Sequence, residues 1–222
     1  MKYKQLLNSI PDNGVMAIIQ RDMDSGGEYF ALQLLRILLE ENKTVFVFLY
    51  EPFTVFRRNC ENVGLSITDY LGRNLVIFDV FGSVYHIPSQ EEGIHQLTGY
   101  MEDSVFIVKL KEWAIKTLES YRGRDIWIFS YTSTGICKLF TKPSVTYKLI
   151  WGLRKLLHST VKCSKTILTL TPLECSEIED IVYACSDIVI ETFVDEGYKR
   201  VGLTTKGPDE GESFSLFGRD EE

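Results

Sequence analysis

The residues best suited to chemistry lie between Arg21 and Glu28, in a short polar turn that contains two glycines. An apolar run, Val15–Ile19, precedes the turn, and an amphipathic helix is predicted after it, over Glu28–Glu41. Strand, glycine-containing turn and helix form the layout of a phosphate-binding loop, where backbone N–H groups at a helix N-terminus hold an anion. The candidate anion-binding residues are therefore Asp24, Ser25, Gly26, Gly27 and Glu28.

The side chains that such a loop needs are mostly missing. A phosphate-binding loop uses glycines to wrap the phosphates, a lysine to reach the β- and γ-phosphates, and a serine or threonine for Mg²⁺. Here Arg21 stands where the first glycine would be, Gly27 replaces the lysine and Glu28 replaces the hydroxyl residue. Asp22, Asp24 and Glu28 add negative charge, and like charges a few ångströms apart cost on the order of 1 kcal/mol in water. Arg21 would offset one of these charges.

Each of these residues can also be explained by a structural role that involves no ligand. Gly26 and Gly27 also suit a tight turn between strand and helix, with no ligand. Glu28 suits the first turn of the helix, where a negative charge favours the macrodipole and would fill the place of a phosphate. Phe129 is predicted to lie in the core. Glu51 is predicted to begin a helix or to line an interface.

Hydrophobic patterning predicts the fold class. Apolar strands are predicted over Val15–Gln20, Thr44–Tyr50, Leu75–Phe81, Asp125–Tyr131 and Thr166–Thr171, and helices alternate with them. Segments Ile188–Val194 and Arg200–Lys206 flank a turn and predict a terminal hairpin. This order predicts one three-layer α/β domain with a parallel sheet over residues 1–206. Residues 207–222 are rich in Gly, Glu and Asp and predict a flexible acidic tail.

Further elements are predicted between these strands. The helices span Tyr3–Ser9, Phe53–Asn62, Val105–Tyr121, Ser144–Ser159 and Ser176–Ala184. Loops are predicted over Gly82–Ser104 and Thr132–Lys142, and the first of them is the candidate for a partner-facing segment.

Three stretches together resemble the RecA-like P-loop ATPase core, and within it the KaiC-like proteins common in archaea. Val15–Phe30 resembles the strand, Walker A loop and helix of that family, and Val45–Pro52 resembles the strand that ends in its catalytic glutamate. The sequence DIWIFSYTS, from Asp125, resembles the Walker B strand. The resemblance implies a RecA-like core, with Glu51 at the catalytic-glutamate position and Phe129 where the Walker B aspartate should stand. Phe cannot hold Mg²⁺ or its water shell, so the resemblance implies a degenerate member.

Composition restricts the remaining function classes. A formal charge of −7 and a pI of about 5.1 argue against a protein that binds nucleic acid by overall attraction to phosphates. No apolar run approaches the roughly 20 residues that span a bilayer, and no signal-peptide pattern is present, so a cytoplasmic location is expected. The five cysteines form no CxxC pair, so we expect neither a metal site nor a disulfide framework, and most cysteines should be buried.

The leading hypothesis is a pseudo-ATPase without catalytic residues or cofactor, a scaffold or regulatory subunit of a homo- or hetero-oligomer. Accessory ring subunits of the Elongator complex and some recombinase paralogues resemble this pattern, and partners would bind through the faces that sandwich ATP in active relatives. One alternative is a sensor that binds ATP weakly. Another is a nucleic-acid module that uses a basic stretch on and around one helix, formed by Lys138, Lys142, Lys148, Arg154, Lys155, Lys162 and Lys165.

Overall fold

The computed structural model of the chain describes residues 3–132, 135–196 and 199–217. The strands it contains are β1 (Val15–Gln20), β2 (Val45–Leu49), β3 (Leu75–Asp79), β4 (Ile94–His95), β5 (Asp125–Tyr131), β6 (Cys163–Leu170), β7 (Ile188–Asp195), β8 (Lys199–Lys206) and β9 (Ser213–Ser215). The helices are α1 (Tyr3–Ser9), α2 (Gly27–Glu40), α3 (Phe53–Asn62), α4 (Val80–Tyr85), α5 (Asp103–Leu118), α6 (Ile136–Leu139), α7 (Pro143–Gly152), α8 (Arg154–Thr160) and α9 (Glu179–Cys185).

The strands form one sheet in the order β4-β3-β2-β5-β6-β1-β7-β8-β9. Strands β1 to β7 pair in parallel, and β8 and β9 extend the sheet in antiparallel fashion. The predicted terminal hairpin is present as β7 and β8, and β7 also pairs in parallel with β1. From β2 to β4 the chain proceeds toward one edge of the sheet, and from β5 to β7 it proceeds toward the other, so the connections that leave the neighbouring strands β1 and β6 run in opposite directions. Ligands bind at such reversals in open α/β sheets, at the carboxyl ends of the strands.

Helices cover both faces of the sheet, which makes the domain three-layered as predicted. Met16 and Ile18 of β1 point into a core shared with α1, α2 and α3. Ala17 and Ile19 point the other way, into a core shared with α5, α7 and α9. A strand that is buried on both faces in this way reads as a continuous apolar run, and β1 does so.

One predicted strand is shorter than expected, and one predicted helix is divided into two. Strand β3 ends at Asp79 rather than Phe81, because Asp79 caps α4: its Oδ1 accepts a hydrogen bond from the Gly82 N–H at 2.7 Å. This cap places a helix at the start of the segment predicted as a loop. The single helix predicted over Ser144–Ser159 is two helices that meet after Gly152, where the Leu153 N–H bonds to the Ile150 carbonyl. Glycine is a poor residue for a helix interior, which favours this break.

The tail was predicted to be flexible from Gly207, but its described part forms strand β9 and packs on α2. Phe214 lies 5.9 Å from Phe30 between ring centroids, and Tyr3 of α1 lies 5.7 Å from the same ring. The Tyr3 hydroxyl donates a hydrogen bond of 2.9 Å to the Leu216 carbonyl. Apolar residues at both ends of the chain therefore cover α2, which explains the order in a segment of polar composition. Residues 218–222 lie outside the described part.

The cysteines depart from the prediction at one pair. A disulfide joins Cys137 and Cys175, which are 38 residues apart in sequence, with their Cα atoms 5.5 Å apart. The spacing of the cysteines in the sequence does not predict this disulfide, because the two residues meet only through the packing of α6 against the segment after β6. Cys60 is buried as predicted, whereas Cys163 and Cys185 are half-buried. Within the described ranges, no helix has the length and apolar character needed to cross a bilayer.

Candidate functional site

The turn between β1 and α2 has the predicted strand, turn and helix layout. A single 3-10 turn, Met23–Ser25, follows Asp22, and the Ser25 N–H donates to the Asp22 carbonyl at 3.1 Å. Gly26 then adopts the left-handed conformation, with φ 74° and ψ 24°, and α2 begins at Gly27. Residues with a Cβ rarely adopt this conformation, so Gly26 is required for the turn.

The side-chain amide of Gln20 lies inside this turn. Its Oε1 accepts a hydrogen bond of 3.0 Å from the Glu28 N–H, in the first turn of α2. Its Nε2 donates a hydrogen bond of 3.1 Å to the Met23 carbonyl. Backbone N–H groups at a helix N-terminus are the groups that hold an anion in a phosphate-binding loop. In this chain, one of them is already paired with a buried side chain of the preceding strand.

The far side of the turn packs directly against β7. The buried Ser25 hydroxyl lies 2.8 Å from Thr192 Oγ1 and donates to the Asp22 carbonyl at 2.8 Å. A Cβ added to Gly27 would collide with Thr192 Oγ1. The position that the resemblance assigns to a lysine therefore has no room for a side chain in this conformation.

Arg21 ties the start of the turn to β7 and α9. Its guanidinium donates to both oxygens of Glu191, at 3.0 and 2.6 Å, and pairs with Glu179. The hydrogen bonds to Glu191, above all, raise the pKa of Arg21. The sequence interpretation had Arg21 offsetting a loop carboxylate, but the structure pairs it with Glu191 and Glu179. Asp22 also contacts β7, because its Oδ2 accepts from the Val194 N–H at 3.0 Å.

Phe217 covers the turn from outside. A Cβ built on Gly26 would lie 2.9 Å from Phe217 Cε2, so the ring is seated against the glycine. The Arg200 guanidinium of β8 lies 5.7 Å from the centroid of the same ring. The cover is thus supplied by the segment that follows β9, and only a residue without a side chain at position 26 leaves space for it.

Glu28 and Glu51 approach each other around Tyr131, the last residue of β5. The Tyr131 hydroxyl donates a hydrogen bond of 3.2 Å to Glu28 Oε2. Glu51 is 6% exposed, and its Oε1 has no hydrogen-bond partner within the described residues. Burial and then the charge of Glu28 raise the pKa of Glu51 to about 8, although the charge of Arg58 opposes the shift. The cluster therefore favours a protonated Glu51 at neutral pH.

Two solved structures of archaeal proteins have the same fold over nearly the whole chain. An uncharacterised protein of Pyrococcus horikoshii, crystallised with an unknown peptide, is 20% identical and has a TM-score of 0.78, covering 96% of this chain and 91% of that chain. A KaiC-like protein of the same archaeon is 18% identical and has a TM-score of 0.61, covering 93% and 86%. The chain has a KaiC-like, RecA-like fold.

A third structure of this KaiC-like fold is the flagellar accessory protein FlaH of Methanocaldococcus jannaschii. It is 14% identical and has a TM-score of 0.59, covering 96% of this chain and 88% of that chain. At these identities the likeness establishes the fold, because function resides in sites that differ among proteins of one fold. No protein-family model matches the chain, and no curated protein matches it.

In this KaiC-like fold, the predicted site residues divide into two groups. Ser25, Gly26, Gly27 and Glu28 lie together in the turn and the first residues of α2, and Glu51 reaches the same region from the end of β2. Asp24 is exposed at the outside of the turn and joins none of these contacts. Glu28 lies in the first helical turn as predicted, but Gln20 rather than Glu28 occupies the inside of the loop. Phe129 is fully buried in the core as predicted.

Sequence reasoning missed Gln20, Tyr131 and Thr192. The role of Gln20 could have been predicted, because it is a polar residue that ends an apolar strand immediately before the turn. The roles of Tyr131 and Thr192 could not have been predicted, since both residues come from distant segments and only the order of the strands brings them to the loop. Within the described ranges, no group of three or more His, Cys, Asp or Glu side chains is arranged to hold a metal ion.

The basic stretch does not form one continuous face. Lys162 pairs with Asp125 at 3.4 Å, and Lys165 lies 3.9 Å from Asp12, at the amino-terminal end of the sheet. Lys138 lies in α6, beyond the carboxyl end of β5, and the Arg154 side chain is turned inward, where its Nη2 donates to the Asn13 carbonyl at 2.6 Å. The lysines at positions 138, 142, 148, 155 and 162 are exposed, but they are spread from α6 to the start of β6 and not gathered on one helix face.

Proposed function

We propose that this chain is a pseudo-ATPase, a non-catalytic protein of KaiC-like fold that acts as a scaffold or regulatory subunit in a homo- or hetero-oligomer. The observation that supports this most is the Gln20 amide, which bridges the Glu28 N–H and the Met23 carbonyl inside the loop. A phosphate that entered the loop would have to displace this amide and would gain no lysine or hydroxyl ligand in return.

The remaining carboxylate, Glu51, also supports this proposal. A general base must be deprotonated before it can accept a proton from an attacking water. With its pKa raised to about 8, Glu51 holds its proton at neutral pH. Tyr131 and the buried Phe129 stand at the end of β5, and neither can hold Mg²⁺. These features together support the loss of nucleotide hydrolysis.

The surroundings of the loop favour a protein partner. Met23 and Tyr29 are exposed within three residues of Gly26 along the chain, and Phe217 is exposed where it covers the same glycine. Exposed aromatic residues and methionine are typical of protein interfaces. The Pyrococcus protein of the same fold was crystallised with an unknown peptide, which adds support for a polypeptide partner.

The nucleotide part of the proposal is tested by measuring the melting temperature and the mass in solution in one experiment. We expect millimolar ATP with Mg²⁺ to change neither quantity, with sodium sulfate at equal ionic strength as the salt control. Ligand that binds the folded state raises its stability by mass action, so a bound nucleotide would be detected. A higher melting temperature, or assembly driven by ATP, would contradict the proposal and favour the weak nucleotide sensor. Glu51→Gln would then be the first variant to examine.

The assembly part is tested with a charge placed on the loop surface. We expect Met23→Glu to weaken self-association at least about fivefold, measured by sedimentation over a range of protein concentrations, because a buried interface charge must be desolvated. Val108→Glu is the matched control, since Val108 is 57% exposed on α5 and Met23 is 55% exposed at the loop. If the two substitutions weakened self-association equally, the loop surface would not be the interface.

A further inference from the structure

A cavity lies on the face of the sheet opposite α2, away from the loop. Its volume is about 80 Å³, it is partly open to solvent, and residues of α5, α7 and α8 line it. Side chains of β2, β5 and β6 form its floor. The walls are almost entirely apolar and include Trp113, Trp151 and Tyr147. Concave sites with apolar walls and a few convergent polar groups are where proteins bind small molecules.

Four residues in the walls of this cavity each carry a buried polar atom that has no hydrogen-bond partner in the described part of the chain. In the described part of the chain, Trp113 Nε1, Tyr147 Oη, Arg154 Nε and Thr166 Oγ1 are buried without a hydrogen-bond partner, and all four residues line the cavity. Tyr147 is 2% exposed and Thr166 is 3% exposed. An unsatisfied buried polar group costs about 1–3 kcal/mol, so four around one space call for a molecule that satisfies them.

The chemistry of these groups defines the molecule. An indole Nε1–H and an arginine Nε–H can only donate hydrogen bonds, so the molecule must present acceptors. The two hydroxyl groups can rotate to donate as well. The apolar walls require that the rest of the molecule be a short aliphatic chain or an aromatic ring.

Charge makes a carboxylate the best acceptor. Arg154 donates through Nη2 to the Asn13 carbonyl, and its guanidinium lies 4.5 Å from the Trp151 ring centroid. No carboxylate within the described residues forms an ion pair with it. The nearby Asp187 is engaged, because its Oδ2 accepts from the Val15 N–H at 2.8 Å. Burial consequently lowers the pKa of Arg154 despite the opposing charge of Asp187.

We propose that this cavity binds a small apolar monocarboxylate, with its carboxylate facing Arg154 Nε and Trp113 Nε1 and its apolar part against the aromatic walls. The volume is about half of the ~150 Å³ that accepts benzene in an engineered apolar cavity. Part of a short chain therefore lies inside and the remainder occupies the mouth. The site is separate from the loop and does not depend on the function proposed for it.

Octanoate is the probe, and tryptophan fluorescence is the first readout. The chain has three tryptophans, of which Trp113 and Trp151 line the cavity and Trp127 does not. A Trp127→Phe protein therefore reports on the cavity alone. We expect octanoate to change its fluorescence and to raise its melting temperature, and octan-1-ol, which lacks the charge, to bind at least about tenfold more weakly.

Variants assign the binding to the donors. We expect Arg154→Met to weaken octanoate binding about tenfold or more, and Lys155→Met, which removes the neighbouring exposed charge, to leave it unchanged. Trp113→Phe keeps an aromatic ring and removes the indole N–H, so it should also weaken binding, and it serves if Arg154→Met fails to fold. Equal binding of octanoate and octan-1-ol, equal effects of the two methionine variants, or no binding of either probe would overturn the proposal. In the last case ordered water alone fills the cavity.

Discussion

Replacing Gly27 with lysine is expected to lower the free energy of unfolding by about 2–3 kcal/mol, because overpacking a well-packed site typically costs 1–3 kcal/mol. The reason is the collision of the new Cβ with Thr192 Oγ1, which also forms the buried contact with Ser25. The loss should be visible as a lower urea midpoint with an unchanged slope. The substitution restores the lysine that the family resemblance requires, yet we expect it to produce no ATP binding, since Gln20 still occupies the loop.

A control variant and a double variant test whether the collision with Thr192 causes this loss of stability. Gly152→Lys is the matched control, because a Cβ at Gly152 meets nothing within 4 Å. It should leave the free energy of unfolding unchanged or raise it by up to about 1 kcal/mol, because lysine is a better helix former than glycine. Thr192→Ala removes the colliding hydroxyl, so the double variant should recover much of the loss. If Gly27→Lys proved as stable as Gly152→Lys, the turn would not pack on β7 as described.

Replacing Glu51 with glutamine is expected to stabilise the protein in alkaline solution and to have little effect in acid. The pKa of Glu51 is raised from an ordinary value of 4.5 to about 8, so the folded state holds a proton that the unfolded state has lost. The stability contributed by this carboxyl is therefore present below about pH 4.5 and falls as the pH rises through 8. Glutamine does not titrate, so the variant avoids the fall.

We expect the difference between Glu51→Gln and the natural protein to be on the order of 5 kcal/mol near pH 9 and close to zero near pH 4, at about 1.4 kcal/mol for each unit between a pKa of 4.5 and one of about 8. Urea unfolding at a series of pH values measures it. Glu112→Gln changes an exposed glutamate of α5 and should show no such dependence on pH. A constant difference between natural and Glu51→Gln protein across this range would show that Glu51 is ionised in the fold.

The sequence was sufficient for the layers of the fold, because they follow from apolar periodicity. β1 and β5 have the predicted bounds, since each is an apolar run between polar turns. The end of β3 was missed because Asp79 acts as a helix cap, and the tail strand was missed because its few apolar residues find partners on α1 and α2. Composition describes a segment by itself and carries no information on distant partners.

The site was predictable in position but not in its contacts. The glycines and the following helix located the turn, since Gly26 is required by the left-handed backbone at that point. The packing of Gly27 on Thr192 joins residues 165 positions apart, and the bond from Tyr131 to Glu28 spans 103 positions. Such pairs are set by strand order, and the order of parallel strands in a sheet has no local signature in the chain.

The contact of Tyr3 with Leu216 has a consequence for synthesis on the ribosome. These residues are 213 positions apart, and between them lies almost the whole sheet. During synthesis, the segments of β1 to β8 are made before residues 213–217, so for an interval the chain contains the loop and β7 but lacks the tail. During that interval Phe30 lacks Phe214, and Gly26 lacks its cover of Phe217. We therefore expect the loop surface to be more accessible in the incomplete chain than in the finished protein, where Phe217 covers Gly26.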